Sequence, residues 1–211
     1  YLTLKQNASV ISQQIPISQM SKEEKDIFFE KEFFPFLKQM HGFAYHLSQD
    51  EDEASDLVQD TFLKAYRFMD SFERGTNTKA WLYRILKNTF INEYRRKTNL
   101  PNHVSLDVSY HQDDEGAPVN ESFVQVLDNV DYYKHLIGDE ISTALANLQP
   151  EFREIIMLSD LEGFSYEEMA KILDIPIGTV RSRLFRARNF LKESLKAYGE
   201  KHGFKDKRGA V

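Results

Sequence analysis

A chain of 211 residues and 24.7 kDa has room for one large domain or two small ones at roughly 100 to 200 residues each, which excludes an enzyme built from several cofactor modules. Its 41% hydrophobic and 28% charged residues with a mean hydropathy of -0.52 predict a globular chain; with no long apolar run and no basic-then-apolar leader, it is expected in the cytoplasm. The absence of cysteine excludes disulfides, thiolate metal sites and thiol nucleophiles, the six histidines are scattered, so no metal or cofactor is expected, and the net charge of -6 argues in bulk against a nucleic-acid partner.

Residues 1–20 are rich in Gln and Ser without sustained period and read as a flexible extension whose function is not legible. The run from Met20 to Glu24 reads as a native start, with Ser21 as helix N-cap and Glu24 completing a capping box. Over residues 21–48 the apolar positions Ile27, Phe28, Phe34, Leu37, Met40, Phe43, Ala44 and Leu47 recur every three or four residues, predicting an amphipathic helix that Pro35 kinks or restarts. An acidic stretch, 50–53, precedes a second predicted helix, 54–69, with Leu57, Val58, Thr61, Phe62, Ala65 and Tyr66 on one side. A polar turn containing Gly75 spans 70–77. A third helix, 78–96, has Trp81, Leu82, Ile85, Leu86 and Phe90 as its buried stripe, with Tyr83 and Asn88 projecting elsewhere.

Charge is distributed in blocks. Residues 79–97 hold six basic side chains (Lys79, Arg84, Lys87, Arg95, Arg96, Lys97) against Glu93 alone, interleaved with aromatics, a pattern suited to stacking on unpaired bases while cations hold phosphates. Residues 98–148 carry nine acidic side chains against Lys134, and 165–211 carry eleven basic against six acidic. Two basic blocks around an acidic one predict two nucleic-acid-facing surfaces with a different task between them. The predicted domains are 21–97 and 139–202, both helical, joined by an acidic linker, 98–138, that is too long for an ordinary connection and followed by a flexible tail, 203–211. The fold class is therefore all-α.

In the second domain the predicted helices are 139–147, 149–161, 166–173 and 179–198, with turns at Gly163 and Gly178. Residues 165–192, SYEEMAKILDIPIGTVRSRLFRARNFLK, have a helix-turn-helix layout: small Ala170 at the crossing, Leu173, Ile175 and Val180 in the wedge, and Thr179 capping the second helix. A wheel sets Val180, Leu184, Ala187 and Leu191 in one stripe. That leaves Arg181, Ser182, Phe185, Arg186 and Asn189 to face a major groove, where arginines take guanine edges or phosphates and an exposed Phe185 could touch a thymine methyl.

Three function classes compete. A stand-alone helix-turn-helix repressor or activator would use only the second domain for DNA and would leave the aromatic and basic helix near Trp81 without a role. A nuclease would need clustered carboxylates or a nucleophile with a base, and no such motif is present; the chain is not expected to be an enzyme. The segments DEASDLVQDTFLKAYRFMDSF, WLYRILKNTFINEYRR and LQPEFREIIMLSDLEGFSYEEMAKILDIPIGTVRSRLFRARNFLK, in this order, together resemble a bacterial RNA polymerase sigma factor of the extracytoplasmic-function type, over about residues 24–198.

The resemblance implies a factor that binds core polymerase and directs promoter recognition, DNA melting and initiation, for a stress or envelope response. It implies that the helix through Asp56, Leu57, Gln59, Asp60, Phe62 and Lys64 binds the clamp helices of the largest polymerase subunit, with the beta flap as a further contact. Ser71, Phe72, Asn77, Lys79, Tyr83, Arg84, Lys87 and Asn88 would handle the minus-ten element and its opened strand. Thr179, Arg181, Ser182, Phe185, Arg186 and Asn189 would meet the minus-thirty-five element. The linker would thread the polymerase cleft, and an anti-sigma factor would silence the chain by covering the same surfaces. The loop 70–77, with Glu73, Arg74, Gly75 and Thr76, is a polar variant whose base preference is not legible.

Overall fold

The structure, a computed structural model, describes residues 15–97 and 138–203, and these are helical with no strand among them. The expected linker and residues 1–14 and 204–211 lie outside the described residues. The contacts divide the chain into two compact units: residues 15–41 with 55–97, and residues 42–54 with 138–203.

In the first unit a 3-10 turn, Ile17–Gln19, leads into α1, Lys22–Phe33. Ile17 and Met20 are buried, so the extension read as flexible packs at its C-terminal end. The Ser21 hydroxyl accepts the Glu24 N–H at 3.2 Å and the Glu24 carboxylate accepts the Ser21 N–H at 2.9 Å, the capping box that the Ser-x-x-Glu spacing predicts. Pro35 sits in a 3-10 turn, Phe34–Phe36, that separates α1 from α2, Leu37–Ser48. The expected stripe needs correction: Ile27 is 52% exposed, and Phe29 and Phe33 enter the core with Leu37 and Met40. The doublets Phe28-Phe29 and Phe33-Phe34 offer two helical phases, and the core takes the pair four residues apart. Phe33 stacks on Phe29 at 4.9 Å between centroids and meets Phe72 at 5.3 Å and Trp81 at 5.6 Å.

Helix α3, Glu51–Arg67, begins three residues before the predicted start. The acidic stretch is its first turn: Asp50 accepts the Glu53 N–H at 2.9 Å, and Glu51, Asp52 and Glu53 sit at the positive end of the helix dipole. After a 3-10 turn, Met69–Ser71, and an irregular loop comes α4, Thr78–Lys97. Its buried line runs through Thr78, Leu82, Tyr83, Leu86 and Thr89, while Trp81, Ile85 and Phe90 are half-buried. The line departs from the apolar pattern because both threonines are satisfied: Thr78 donates to Glu32 at 2.6 Å, and Thr89 accepts from Lys64 at 3.1 Å.

The second unit contains α5, Asp139–Ala146, then α6, Pro150–Ile156, which continues without a break as a π-helical turn, Met157–Leu161, so the predicted helix 149–161 is present with its last turn widened. Then come α7, Tyr166–Leu173, α8, Ile177–Ser194, and α9, Lys196–Lys201. Ile155, Met157, Leu158, Met169, Val180 and Ala187 are at most 1% exposed and form its interior. Buried Arg153 donates to four backbone carbonyls: Leu145 at 3.0 Å, Ala146 at 2.7 Å, Leu148 at 3.1 Å and His46 at 3.1 Å. One guanidinium thus caps the C-terminal end of α5, where carbonyls lack intrahelical partners. Burial lowers the Arg153 pKa.

Candidate nucleic-acid interface

The α7–α8 pair is built by local rules. Ser165 and Glu168 form a second capping box, at 3.2 and 2.8 Å. Asp174 ends α7 in the left-handed region at φ 55°, which lets the Ile175 N–H reach the Ala170 carbonyl at 3.1 Å and reverses the chain in a short turn. The start of α8 corrects the sequence reading. Pro176 is the N-cap, its carbonyl accepting from Thr179 at 2.9 Å and Val180 at 3.1 Å. Gly178 and Thr179 lie inside the first turn, and Thr179 caps nothing. The proline ring fixes φ, -59° here, and ψ of 145° completes the extended conformation that an N-cap adopts.

Val180, Leu184 and Ala187 are buried and Leu191 is half-buried, so the expected stripe faces inward. Arg181, Ser182, Phe185, Arg186 and Asn189 are all exposed, Phe185 at 68%. The Ser182 hydroxyl donates to the Thr179 carbonyl at 3.0 Å. Arg186 makes no ion pair among the described residues. The sequence reading named neither Asp160 nor Arg188, which are joined here: Arg188 Nε donates to Asp160 Oδ2 at 3.2 Å and Nη2 to Ser159 Oγ at 3.1 Å.

In the first unit the sequence-named residues separate into faces and supports. On α3, Asp56 is exposed and Gln59, Asp60 and Lys64 are half-exposed, whereas Leu57 and Phe62 are 1% and 2% exposed and belong to the core. These two hold the helix and cannot be the surface it presents. Burial lowers the Lys64 pKa, against the pull of the Asp60 and Glu93 carboxylates. Burial, then the Asp60 charge, raise the Glu93 pKa against Lys64 and Arg96.

The loop 70–77 turns at Gly75, whose φ of 81° suits glycine. Asn77 caps α4 by accepting the Ala80 N–H at 3.0 Å. Ser71 and Asn77 are exposed, but Phe72 is interior and packs on Trp81 at 5.2 Å. Tyr83, expected to project outward, is also fully interior. Its ring underlies Lys79, whose Nζ is 5.7 Å from the centroid. Lys79, Arg84, Lys87 and Asn88 remain half-exposed on α4. No spacing in the sequence marks what holds the loop. Lys25 pairs with Asp70 at 2.7 Å, Arg74 lies over the Phe28 ring at 4.7 Å and contacts the Met20 sulfur at 3.1 Å, and Tyr66 donates to Asp26 at 2.6 Å, with burial and that bond pushing its phenol up to about 12. Among the described residues no group of three or more His, Asp or Glu side chains is placed to hold a metal ion, and no helix is long and apolar enough to cross a membrane.

Comparison with known proteins also finds two matched regions. The family described as Sigma-70 region 2 matches residues 35–99, and Sigma-70, region 4, matches residues 138–191. The ECF RNA polymerase sigma factor EcfG of Rhodopseudomonas palustris is 36% identical over 156 residues, 74% of this chain and 78% of that protein. The ECF RNA polymerase sigma factor SigE of Mycolicibacterium smegmatis is 33% identical over 156 residues, 74% of this chain, and the match spans 57% of its length. The solved structure of the sigma factor RpoE from Bartonella quintana, in complex with the anti-sigma factor NepR, has a TM-score of 0.57 at 37% identity, covering 80% of this chain and 96% of that one.

Proposed function

This chain belongs to the ECF sigma factors of RNA polymerase, and from that premise we propose that it binds core polymerase through α3, reads the minus-ten element with the loop 70–77 and α4, and reads the minus-thirty-five element with α8. The observation that carries the reading is the division of α8, where a buried stripe of Val180, Leu184 and Ala187 backs an exposed face of Arg181, Ser182, Phe185, Arg186 and Asn189. An exposed aromatic among arginines suits a groove that displays thymine methyls, guanine edges and phosphates.

On α3 the reading assigns contact to Asp56, Gln59, Asp60 and Lys64, with Leu57 and Phe62 as their support. On the minus-ten side it assigns contact to Ser71, Asn77, Lys79, Arg84, Lys87 and Asn88, with Phe72 and Tyr83 shaping the surface from within. Phosphodiester chemistry belongs to the polymerase. The proposed functional domains are 21–97 and 139–202, although residues 42–54 pack with the second unit, and the linker 98–138 takes the cleft. An anti-sigma factor is a further proposed partner, supported by the complex in which the Bartonella relative was solved.

The test is reconstitution of the full chain with core polymerase on promoter DNA carrying both elements. The expected result is specific initiation that needs both DNA elements, and weak binding to duplex by the chain alone. Tight duplex binding without polymerase, and no support of initiation, would instead identify a stand-alone repressor or activator. Reversing the charges of Asp56 and Asp60 should weaken binding to core with helical content unchanged.

A further inference from the structure

Helix α8 carries four arginines, and carboxylates divide them. Arg183 reaches Glu151 at 3.6 Å, and Arg188 is held on two sides by Asp160, at 2.5 and 3.2 Å, while Arg181 and Arg186 pair with no carboxylate among the described residues. Arg188 is seven residues from Arg181, which on a helix places the two within roughly 20° of one another. It therefore leaves α8 on the side that carries Arg181, Phe185 and Asn189, and it is turned back from that side by Asp160.

Asp160 comes from the π-helical turn Met157–Leu161, where the Glu162 N–H bonds to the Met157 carbonyl at 2.9 Å, five residues back. Such turns recur within α-helices at functional sites. Ser159 donates to Asp160 Oδ1 at 2.8 Å and also receives Arg188, so the acceptor is oriented before the arginine arrives. Burial alone would raise the Asp160 pKa; the Arg188 and Ser159 hydrogen bonds and the Arg188 charge outweigh it and hold the carboxyl below the usual range. Tyr166, at the start of α7, lies beneath the Arg181 guanidinium, 5.9 Å from the guanidinium carbon to the ring centroid.

We propose that Asp160 withholds Arg188 from the DNA backbone and uses it to fix the orientation of α8, making Arg188 a positioning residue and not a phosphate contact. The inference rests on the reading of α8 as the minus-thirty-five helix. A phosphate contact strengthens binding to every sequence alike, so withholding one leaves discrimination to Arg181, Ser182, Phe185 and Arg186. The two-sided fork of Arg188 on one carboxylate defines an angle as well as a distance, which a lysine could not do.

The experiment measures the salt dependence of binding by the full chain with core polymerase, on duplexes with a matched or a scrambled minus-thirty-five element, with helical content checked for each variant. Asp160→Asn should steepen the slope of log K against log salt by roughly 0.9, the increment of one added phosphate contact, and raise affinity for scrambled DNA. The double variant Asp160→Asn with Arg188→Ala should return the slope to that of the parent. Arg188→Ala alone should leave the slope unchanged and narrow the matched-to-scrambled ratio. A shallower slope for Arg188→Ala alone would make Arg188 a phosphate contact and overturn the proposal. An unchanged slope for Asp160→Asn, or a steep slope kept by the double variant, would overturn it equally. If the parent holoenzyme fails to discriminate matched from scrambled DNA, the reading of α8 falls first, an outcome distinct from all of these.

Discussion

The helix-turn-helix and the loop 70–77 are held by different kinds of tie. In the α7–α8 pair most ties are short: the Ser165–Glu168 box spans three residues, and the turn after Asp174 closes on Ala170. The loop and its flanks depend on partners far away in the chain: Lys25 with Asp70 at a separation of 45 residues, Met20 with Arg74 at 54, Glu32 with Thr78 at 46, Asp26 with Tyr66 at 40. A surface held locally can change its outward residues without disturbing its frame. A loop held from α1 takes its order from residues that touch no ligand, so substitutions in α1 should reach the promoter as surely as substitutions in the loop.

The comparison breaks most severely at Arg153, whose bond to the His46 carbonyl spans 107 residues within the second unit. Arg153→Ala takes a donor from four carbonyls; Leu145 keeps the Leu148 N–H and His46 keeps the Gln49 side chain, so Ala146 and Leu148 bear most of the loss, which at about 1 to 3 kcal/mol for each buried group not rescued by water should reach about 3 kcal/mol. Chemical denaturation followed by far-UV circular dichroism should show the shift. Arg153→Lys, which cannot span four acceptors, should recover only part of it. If Arg153→Ala unfolds at the parent's denaturant concentration, water substitutes for the guanidinium and the second unit is held locally throughout.

On the exposed face of α8 the same logic predicts loss of function without loss of fold. Arg186→Ala should cost about 1 to 3 kcal/mol at promoters that need the upstream element, the worth of a bidentate base contact, with the melting curve unmoved. A footprint and activity equal to the parent's would remove Arg186 from the reading face. In the first unit, Arg74→Ala removes a half-buried cation from the Phe28 ring, a contact worth about 1 kcal/mol. The expected result is about a fivefold loss in the extent of promoter opening. Phe28→Leu should reproduce it from α1 while binding to core polymerase holds; normal opening by Phe28→Leu would show that α1 does not order the loop.

These two kinds of tie also account for how much was legible. Caps and turns with fixed offsets, Ser21 to Glu24 and Ser165 to Glu168, were readable because the partner's position in the chain is set by helix geometry. The inward stripe of α8 followed from its period, and with it the outward residues of that helix. The loop's anchors were not readable, since no spacing rule links Lys25 to Asp70. The interior placing of Tyr83 departs from the apolar pattern because Thr78 and Thr89 take core positions through hydrogen bonds to Glu32 and Lys64, which such a pattern does not count, while Phe72 enters the expected minus-ten set only through the resemblance. The resemblance includes Leu57 and Phe62 in the polymerase-binding helix although their period already sets them on its apolar side, because a helix that binds a partner and a helix that fills a core share the same residues. The π-helical turn left no mark, because an inserted residue changes phase without changing composition.

The smallest effect concerns His46, whose carbonyl accepts from Arg153 and whose ring is buried. Burial first, and then the Arg153 charge, lower its pKa from 6.5. Above the unfolded value both states hold the ring neutral and it contributes no pH dependence. As pH falls through 6.5 the unfolded chain takes up a proton that the folded chain refuses, so stability declines until the lowered folded value is passed, and then levels off. The sign is opposite to that of a histidine paired with a carboxylate, which gains stability on acidification. His46→Phe should remove this part of the acid sensitivity, seen as a smaller difference in unfolding midpoint between pH 7.5 and pH 5.5. Comparing the two pH values within each variant cancels the altered packing, which acts at both. Arg153→Met should reduce the same difference by removing the repelling charge, and an unchanged difference in both variants would place the acid sensitivity elsewhere in the chain.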